Sequence, residues 1–299
     1  MSIATERLSP AAGIGLSLIA GPRRRAALRR HPRLFIGGTL VVALVLVTVF
    51  APLLTHYDPI VGDVSDGLQA PSLGHWLGTD DQGRDVMARV LYGARISLSV
   101  ALISVLIGVV VGVSIGLVAG YAGGAVDLLL MRVIDALLAF PALLLAISIT
   151  AALGPQIQNA MIAIGVVAIP IYARLTRGQV LAVREREYIT AARAVGIGPG
   201  RIAVLHILPN IANALIVQAT LTTAFAILQE AVLSFLGLGT QPPTPSWGQD
   251  INYNQRYITN LMWWGSVAPG MAIFLAVFAF NFLGDALRDY LDPQLRRKA

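Results

Sequence analysis

Residues 96–119 read ISLSVALISVLIGVVVGVSIGLVA, a run without one charged side chain. It exceeds the ~18 apolar residues that mark a helix able to cross a bilayer. In hydrocarbon the backbone must satisfy its own N–H and C=O groups, and a helix does so within one segment. A second uncharged run, Leu34 to Leu54, behaves alike, and further apolar windows fall near 126–151, 159–181, 205–236 and 264–287. The window at 159–181 is the weakest, because Pro170 interrupts it and Arg174 closes its fully apolar part early. The expectation is an all-α integral membrane protein of about six transmembrane helices.

Composition agrees: 56% of the 299 residues are hydrophobic and 13% charged, against roughly one quarter charged in a soluble domain. With no cysteine, disulfides, Cys-ligated zinc and thiol nucleophiles are excluded. A net charge of +6 could suggest nucleic acid, but the basic residues are grouped by loop, which is the pattern of membrane topology. Arg23, Arg24, Arg25, Arg29, Arg30 and Arg33 precede the first apolar run. That run is longer than the 7–15 residues of a signal peptide core and reads as an uncleaved first helix. Six crossings put 18 of the 22 Lys and Arg residues on one side, leaving only Arg84, Arg89, Arg95 and Arg256 on the other. By the positive-inside bias both termini are expected in the cytoplasm.

The expected outer segment 55–95 carries Asp58, Asp63, Asp66, Asp80, Asp81 and Asp85. Within it Val86, Val90, Leu91 and Ala94 sit at helical spacing, as in an interfacial helix, and Thr79 with Gln82 fits a capping box. The other outer segment, 237–263, is rich in Pro, Gly and Gln and leads into Trp263 and Trp264, residues suited to the headgroup layer.

Gly108, Gly112, Gly116 and Gly120 recur every fourth residue, a ridge that lets another helix approach closely, within the chain or in a second subunit. Gln218, Thr222 and Gln229 share a helix face with Phe225, which suits a solute pathway; interhelical hydrogen bonding explains them equally well. Arg132 and Asp135 are spaced to pair as a structural anchor near Asp127. Glu230 and Asp285 lie near helix ends, where a proton relay would want deeper acids.

Between the fourth and fifth windows stand Glu187-Tyr188-Ile189-Thr190-Ala191-Ala192-Arg193-Ala194-Val195-Gly196, then Arg201 and His206-Ile207-Leu208-Pro209-Asn210. Ala191 and Ala192 favour helix, Gly196 can end it, and Pro209 suits a first helical turn. Such a helix could seat in a groove on a partner, or lie on anionic headgroups through Arg184, Arg186 and Arg193.

This stretch resembles the coupling segment of ATP-binding cassette (ABC) importer permeases, whose EAA-type motif, Gly and later Leu-Pro insert into a nucleotide-binding subunit. Thr190 stands where the general motif has Glu, and His206 where it often has Ile. Both departures resemble the peptide/nickel branch. Similarity to that branch's C-type permeases, those of dipeptide and oligopeptide importers, continues in Leu77-Gly78-Thr79-Asp80, Gly83-Arg84-Asp85 and Tyr92-Gly93-Ala94-Arg95. Further on it takes in Leu233 to Gly239, Trp247-Gly248, Asn281 to Asp285, Leu287-Arg288-Asp289 and Leu291-Asp292-Pro293.

The resemblance implies a type I importer permease in the cytoplasmic (inner) membrane of a bacterium, forming half of a translocation pathway for peptides or a similar small solute. It implies a cytoplasmic coupling helix with Glu187, Tyr188, Ala191, Ala192, Arg193 and Gly196 as coupling residues. Domain expectations are a basic N-terminal segment at 1–33, a permease domain at 34–293 with its coupling segment at 184–204, and a tail at 294–299. The implied partners are a second related permease, two ATP-binding subunits or one fused ATPase, an extracytoplasmic solute-binding protein and the lipid bilayer, with no nucleic acid.

ATP and Mg would be bound by the partners: no G-x-x-x-x-G-K-[ST] loop occurs here, and no catalytic, cofactor or metal residue is assigned. An ion-driven secondary transporter or channel is the alternative, with the Gln218 stripe and Glu230 as its site. An intramembrane enzyme is disfavoured because G-x-S-x-G and H-E-x-x-H are both absent.

Overall fold

A run of apolar residues makes a spanning helix only where proline and glycine permit, and those residues set the element boundaries. The computed structural model describes residues 32–291. The basic segment before Pro32, the Asp292-Pro293 pair and the tail lie outside the described residues. The helices long and apolar enough to span are α1 (Pro32–Val49), α3 (Val86–Ala122), α6 (Ile157–Arg184), α8 (Leu208–Phe235) and α10 (Trp264–Leu291). Between α1 and α3 lies the short α2 (Ala51–Leu54). No β-strand is named among the described residues.

The apolar window 126–151 is not one straight helix. It divides into α4 (Gly124–Leu138) and α5 (Ala142–Leu153), bent by 89°. Pro141 disfavours helical geometry at Phe140, so the chain turns there. Counting that bent pair as one span gives six. Pro170 and Pro269, by contrast, stay inside continuous helices.

Two expectations at the start of α3 are corrected. Val86, Val90, Leu91 and Ala94 are not a separate interfacial helix but the first turns of α3, a single helix of 37 residues. At ~1.5 Å per residue it is about 55 Å long and must project well beyond a ~30 Å hydrocarbon core. Its cap is Asp85, whose carboxylate accepts from the Ala88 N–H at 2.7 Å. Thr79 instead donates to the Asp66 carbonyl at 2.5 Å and accepts from the Gln69 N–H, holding a loop together.

The main seam joins α3 to α6. A Cβ on Gly108 would stand 2.7 Å from the Ala168 Cβ, and one on Gly112 would stand 2.6 Å from the Ile169 carbonyl oxygen. One on Gly116 would meet the Ala173 carbonyl oxygen, and one on Gly120 would lie 2.9 Å from Val180. The four glycines therefore face α6 in this same chain. Gly165 answers from α6, where a Cβ would fall 2.8 Å from Ile107.

Around this seam α8 packs on α3, α6 and α10, and α1 rests on α10, with Gly37 against the Leu283 backbone. Arg95 closes α1: its guanidinium donates to the Thr48 and Val49 carbonyls at 2.8 Å each, groups that a helix C-terminus leaves unpaired. Gly112→Leu should lower the melting temperature in detergent sharply, because overpacking costs about 1–3 kcal/mol and a backbone carbonyl cannot give way. Gly38→Leu, where an added Cβ meets nothing within 4 Å, should leave it unchanged.

Candidate functional site

Two regions at opposite ends of the bundle hold the chemistry. At one end the segments 55–85 and 237–263 close over the start of α3. Asp80 accepts from the N–H groups of Gln82 and Arg84 at 2.9 Å and from the Arg84 guanidinium at 2.6 Å. Asp85, besides capping α3, meets His75 Nδ1 at 2.9 Å. Arg89 donates to the Pro59 carbonyl at 2.8 Å and through Nε to Asp250 Oδ1 at 2.9 Å, with a second bond from Nη2. Asp250 belongs to α9 (Trp247–Asn254), so this pair staples the two loops across 161 residues of sequence. Asp80, Arg84, Asp85, Arg89 and Asp250 are all buried.

Indole N–H groups brace the same end: Trp247 donates to the Val90 carbonyl at 2.9 Å and Trp264 to the Thr79 carbonyl at 3.0 Å. Gly93 leaves room for Trp247, and Gly78, at φ +72°, for Trp264. Beneath them Glu230 accepts from Ser97 at 2.7 Å, Ser234 at 2.7 Å and Ser246 at 3.1 Å, all buried. It thereby ties α3 and α8 to the residue preceding α9. This leaves Glu230 as a bonded structural centre and takes it away from the ion-driven alternative.

At the opposite end α7 (Glu187–Ala194) follows α6 and packs against it and against the stretch 202–207. Ile189 and Ala192 are buried against the core that contains Ile202, Ile207 and Ile211. Glu187, Tyr188, Thr190, Ala191, Arg193 and Ala194 face outward. Of the coupling candidates, Ala192 is the one turned inward, where it seats the helix. Gly196 sits at φ +80°. Its N–H donates to Arg193 O at 3.0 Å, and that of Ile197 donates to Ala192 O at 3.1 Å, the paired bonds of a Schellman stop. The Arg193 guanidinium stands 5.5 Å from the Tyr121 ring at the end of α3, a cation–π contact. The chain then re-enters the bundle through a π-helical stretch, Ile202–Ile207. There Pro209 supplies no N–H, and the Asn210 side chain donates to the His206 carbonyl at 2.6 Å.

The other candidate residues are placed differently from expectation. Gln218 donates to Thr222 at 3.1 Å, Thr222 and Gln229 are each 4% exposed, and Phe225 faces outward. The stripe is thus not an open polar face; Thr222 and Gln229 are packed inside the chain. Arg132 does not pair with Asp135. Asp135 meets Arg174 at 2.6 Å, and Asp127 meets Arg177 through two bonds of 2.5 and 2.6 Å, all between α4 and α6.

Residues 112–297 match the family model described as "Binding-protein-dependent transport system inner membrane component". The chain belongs to this family. Residues 23–71 also match the N-terminal TM domain of oligopeptide transport permease C. Among similar proteins, the dipeptide transport system permease protein DppC of Alkalihalophilus pseudofirmus is 46% identical, over 90% of this chain and 88% of that one. DppC of Escherichia coli K12 is 46% identical over 90% and 91%. A putative peptide transport system permease protein of Brucella abortus is 44% identical over 98% and 99%. Among solved structures, the inward-facing MetNI methionine ABC transporter shares the fold, with a TM-score of 0.54 and 22% identity over 67% of this chain and 97% of that one. The chain is therefore a multi-pass inner-membrane permease subunit of an ABC importer with the type I fold.

Sequence reasoning missed the Arg89–Asp250 staple and the serine seat of Glu230. The motif Gly-Thr-Asp to Gly-Arg-Asp at 78–85 contains neither Arg89 nor Asp250, so nothing in it named the first. Arg89→Leu should destabilise the permease by on the order of 3–5 kcal/mol, since it leaves a buried carboxylate unpaired. Burial pushes the Asp250 carboxyl up to about 6, against the opposing pull of Arg89. The folded state then holds a proton that the unfolded chain has lost, so this group's contribution falls as pH rises from about 4 to about 6 and is constant above. Melting curves of the wild type and Asp250→Asn should accordingly diverge below pH 6, with the wild type gaining relative stability toward pH 4.

Proposed function

We propose that this permease forms half of a peptide-conducting channel and transmits ATPase motion to it through α7. The observation that carries the coupling role is the geometry of that helix: clamped below by Ile189 and Ala192, stopped by Gly196, and free above at Tyr188, Thr190 and Ala191. A helix meant for headgroups would turn its apolar side outward. Here Ile189 and Ala192 are turned into the bundle, and the outward face at Thr190, Ala191 and Ala194 is one of small residues that suits a protein groove.

Peptides are the cargo because the similar proteins are described as dipeptide permeases and a putative peptide permease, alike over nearly their full length. The complex comprises this chain, a second related permease, two ATP-binding subunits or one fused ATPase that bind ATP and Mg, and a solute-binding protein. The α7 end, rich in arginine, faces the cytoplasm with both termini. The stapled loops at 55–85 and 237–263 then lie outside, where the solute-binding protein delivers cargo. Closure of the ATPases pushes α7, and the π-helical stretch at 202–207 lets α8 move with it.

The test is ATP hydrolysis by the complex co-purified from its genomic neighbours, with and without binding protein and dipeptides. Peptide-dependent stimulation is expected, and Ala191→Trp, on the outward face, should abolish it while the complex keeps its melting temperature. Stimulation indifferent to Ala191→Trp would refute the coupling role. Solute movement without ATP would refute the importer reading for this chain.

A further inference from the structure

The first span carries its own ruler for depth. Between Arg33 and His56 no residue is charged, and Arg33 pairs with Asp289 at 3.4 Å, both side chains more than half exposed. An ion pair so exposed is too costly in hydrocarbon, so it marks one edge of the core or lies beyond it. From Arg33 to Leu54 is 21 residues along α1 and α2, about 32 Å of helix. The core is ~30 Å thick, with about 5–7 Å of headgroup layer on each side. Leu53 and Leu54 therefore stand no higher than the headgroup layer at the far edge, and any tilt of α1 draws them closer to the core.

At that level the loop end exposes apolar side chains as a group. Leu46, Val49, Phe50 and Leu53 follow one another at helical spacing and are all exposed, so the lipid-facing side of α1 runs unbroken into α2. Leu53 is 75% exposed, Leu73 98% and Trp76 66%. Leu54, Tyr57, Leu73 and Trp76 line one groove of about 370 Å³ with Met87 of α3. An exposed apolar patch of this kind marks an interaction site. It is held in place: Tyr57 donates to the Gly74 carbonyl at 2.9 Å, and its ring stands 4.7 Å from that of His75, which meets Asp85, the cap of α3. Trp247 and Trp264 spend their indole N–H groups inside the chain. Among the described residues that of Trp76 has no partner.

We propose that Leu53, Leu54, Tyr57, Leu73 and Trp76 form a membrane foot that rests in the phospholipid headgroup layer at the loop end, the leucines meeting the first acyl carbons and the Trp76 indole donating to phosphate or ester oxygens. Tryptophan and tyrosine suit that layer because one end of each side chain is apolar and the other polar. Through Tyr57 and His75 the foot sets the height of the α3 cap above the core. This part of the loop end is given to lipid, and the solute-binding protein meets the rest. The foot depends neither on that partner nor on the cargo.

The chain has no cysteine, so Leu73→Cys can carry a single bimane fluorophore in the assembled complex, with cysteines of the partner subunits replaced and the complex held in phosphatidylcholine nanodiscs. Val64→Cys is the control. It is 76% exposed, and its neighbour Asp63 packs on Gly83, before the first turn of α3, which sets it farther from the core. A nitroxide carried on the lipid headgroup should quench the fluorophore at position 73 severalfold more than at position 64. Quenching at 73 no greater than at 64 would overturn the foot. Quenching at 73 that disappears when the binding protein docks would also overturn it, because the patch would then be that protein's seat.

Discussion

The contact of α3 with α6 through four glycines is the constraint on which the rest of the bundle depends. Lipid tails are as apolar as leucine, so helices in a bilayer gain little from the hydrophobic effect and must associate by close packing. Removing side chains along one line of α3 brings it within van der Waals reach of the α6 backbone at Ile169 and Ala173. With that pair fixed, α6 presents Arg174 and Arg177 to α4, and α3 presents Ser97 to Glu230 and Arg89 to Asp250. The two ends of the molecule are thereby referred to one rigid axis. A push on α7 has something stiff to act against.

The ends are built on different principles. The loop end is locked: buried carboxylates, two arginines and two indoles are tied to one another and to the backbone, and removing one member exposes another to an unpaired buried state. The α7 end is held by apolar contacts at Ile189 and Ala192 and by one Schellman stop, then continues through a π-helical stretch. Such stretches concentrate at functional sites and hinges. One end is thus a closed, stapled surface and the other a seated but deformable helix.

Much of this was legible in the sequence because membrane physics reads in one dimension. Uncharged runs located the spans, and the every-fourth-residue glycines located the seam. The motif between Glu187 and Asn210 located the helix, its stop and its re-entry. What was not legible depends on which distant residue lies opposite. Arg132 and Asp135 had the right helical spacing, but Arg174 on α6 reaches Asp135 instead. Thr79 and Gln82 matched a capping pattern, yet Gly83 lies between them and the helix, and Asp85 caps it. The 126–151 window looked continuous because one proline counts little in hydropathy, although it bends the chain by 89°. The Gln218 stripe was polar enough for a pathway, and only packing placed Thr222 and Gln229 inside.

The central claim is that α7 is the seat of an ATP-binding subunit. The most direct measurement is site-specific photo-crosslinking in the intact complex, with a benzophenone amino acid in place of Thr190 on the outward face of α7 and, separately, of exposed Trp76 in the loop at the opposite end. The account predicts that position 190 crosslinks to the ATP-binding subunit and position 76 does not. Crosslinking of position 190 only to lipid, or of position 76 to the ATP-binding subunit, would contradict it.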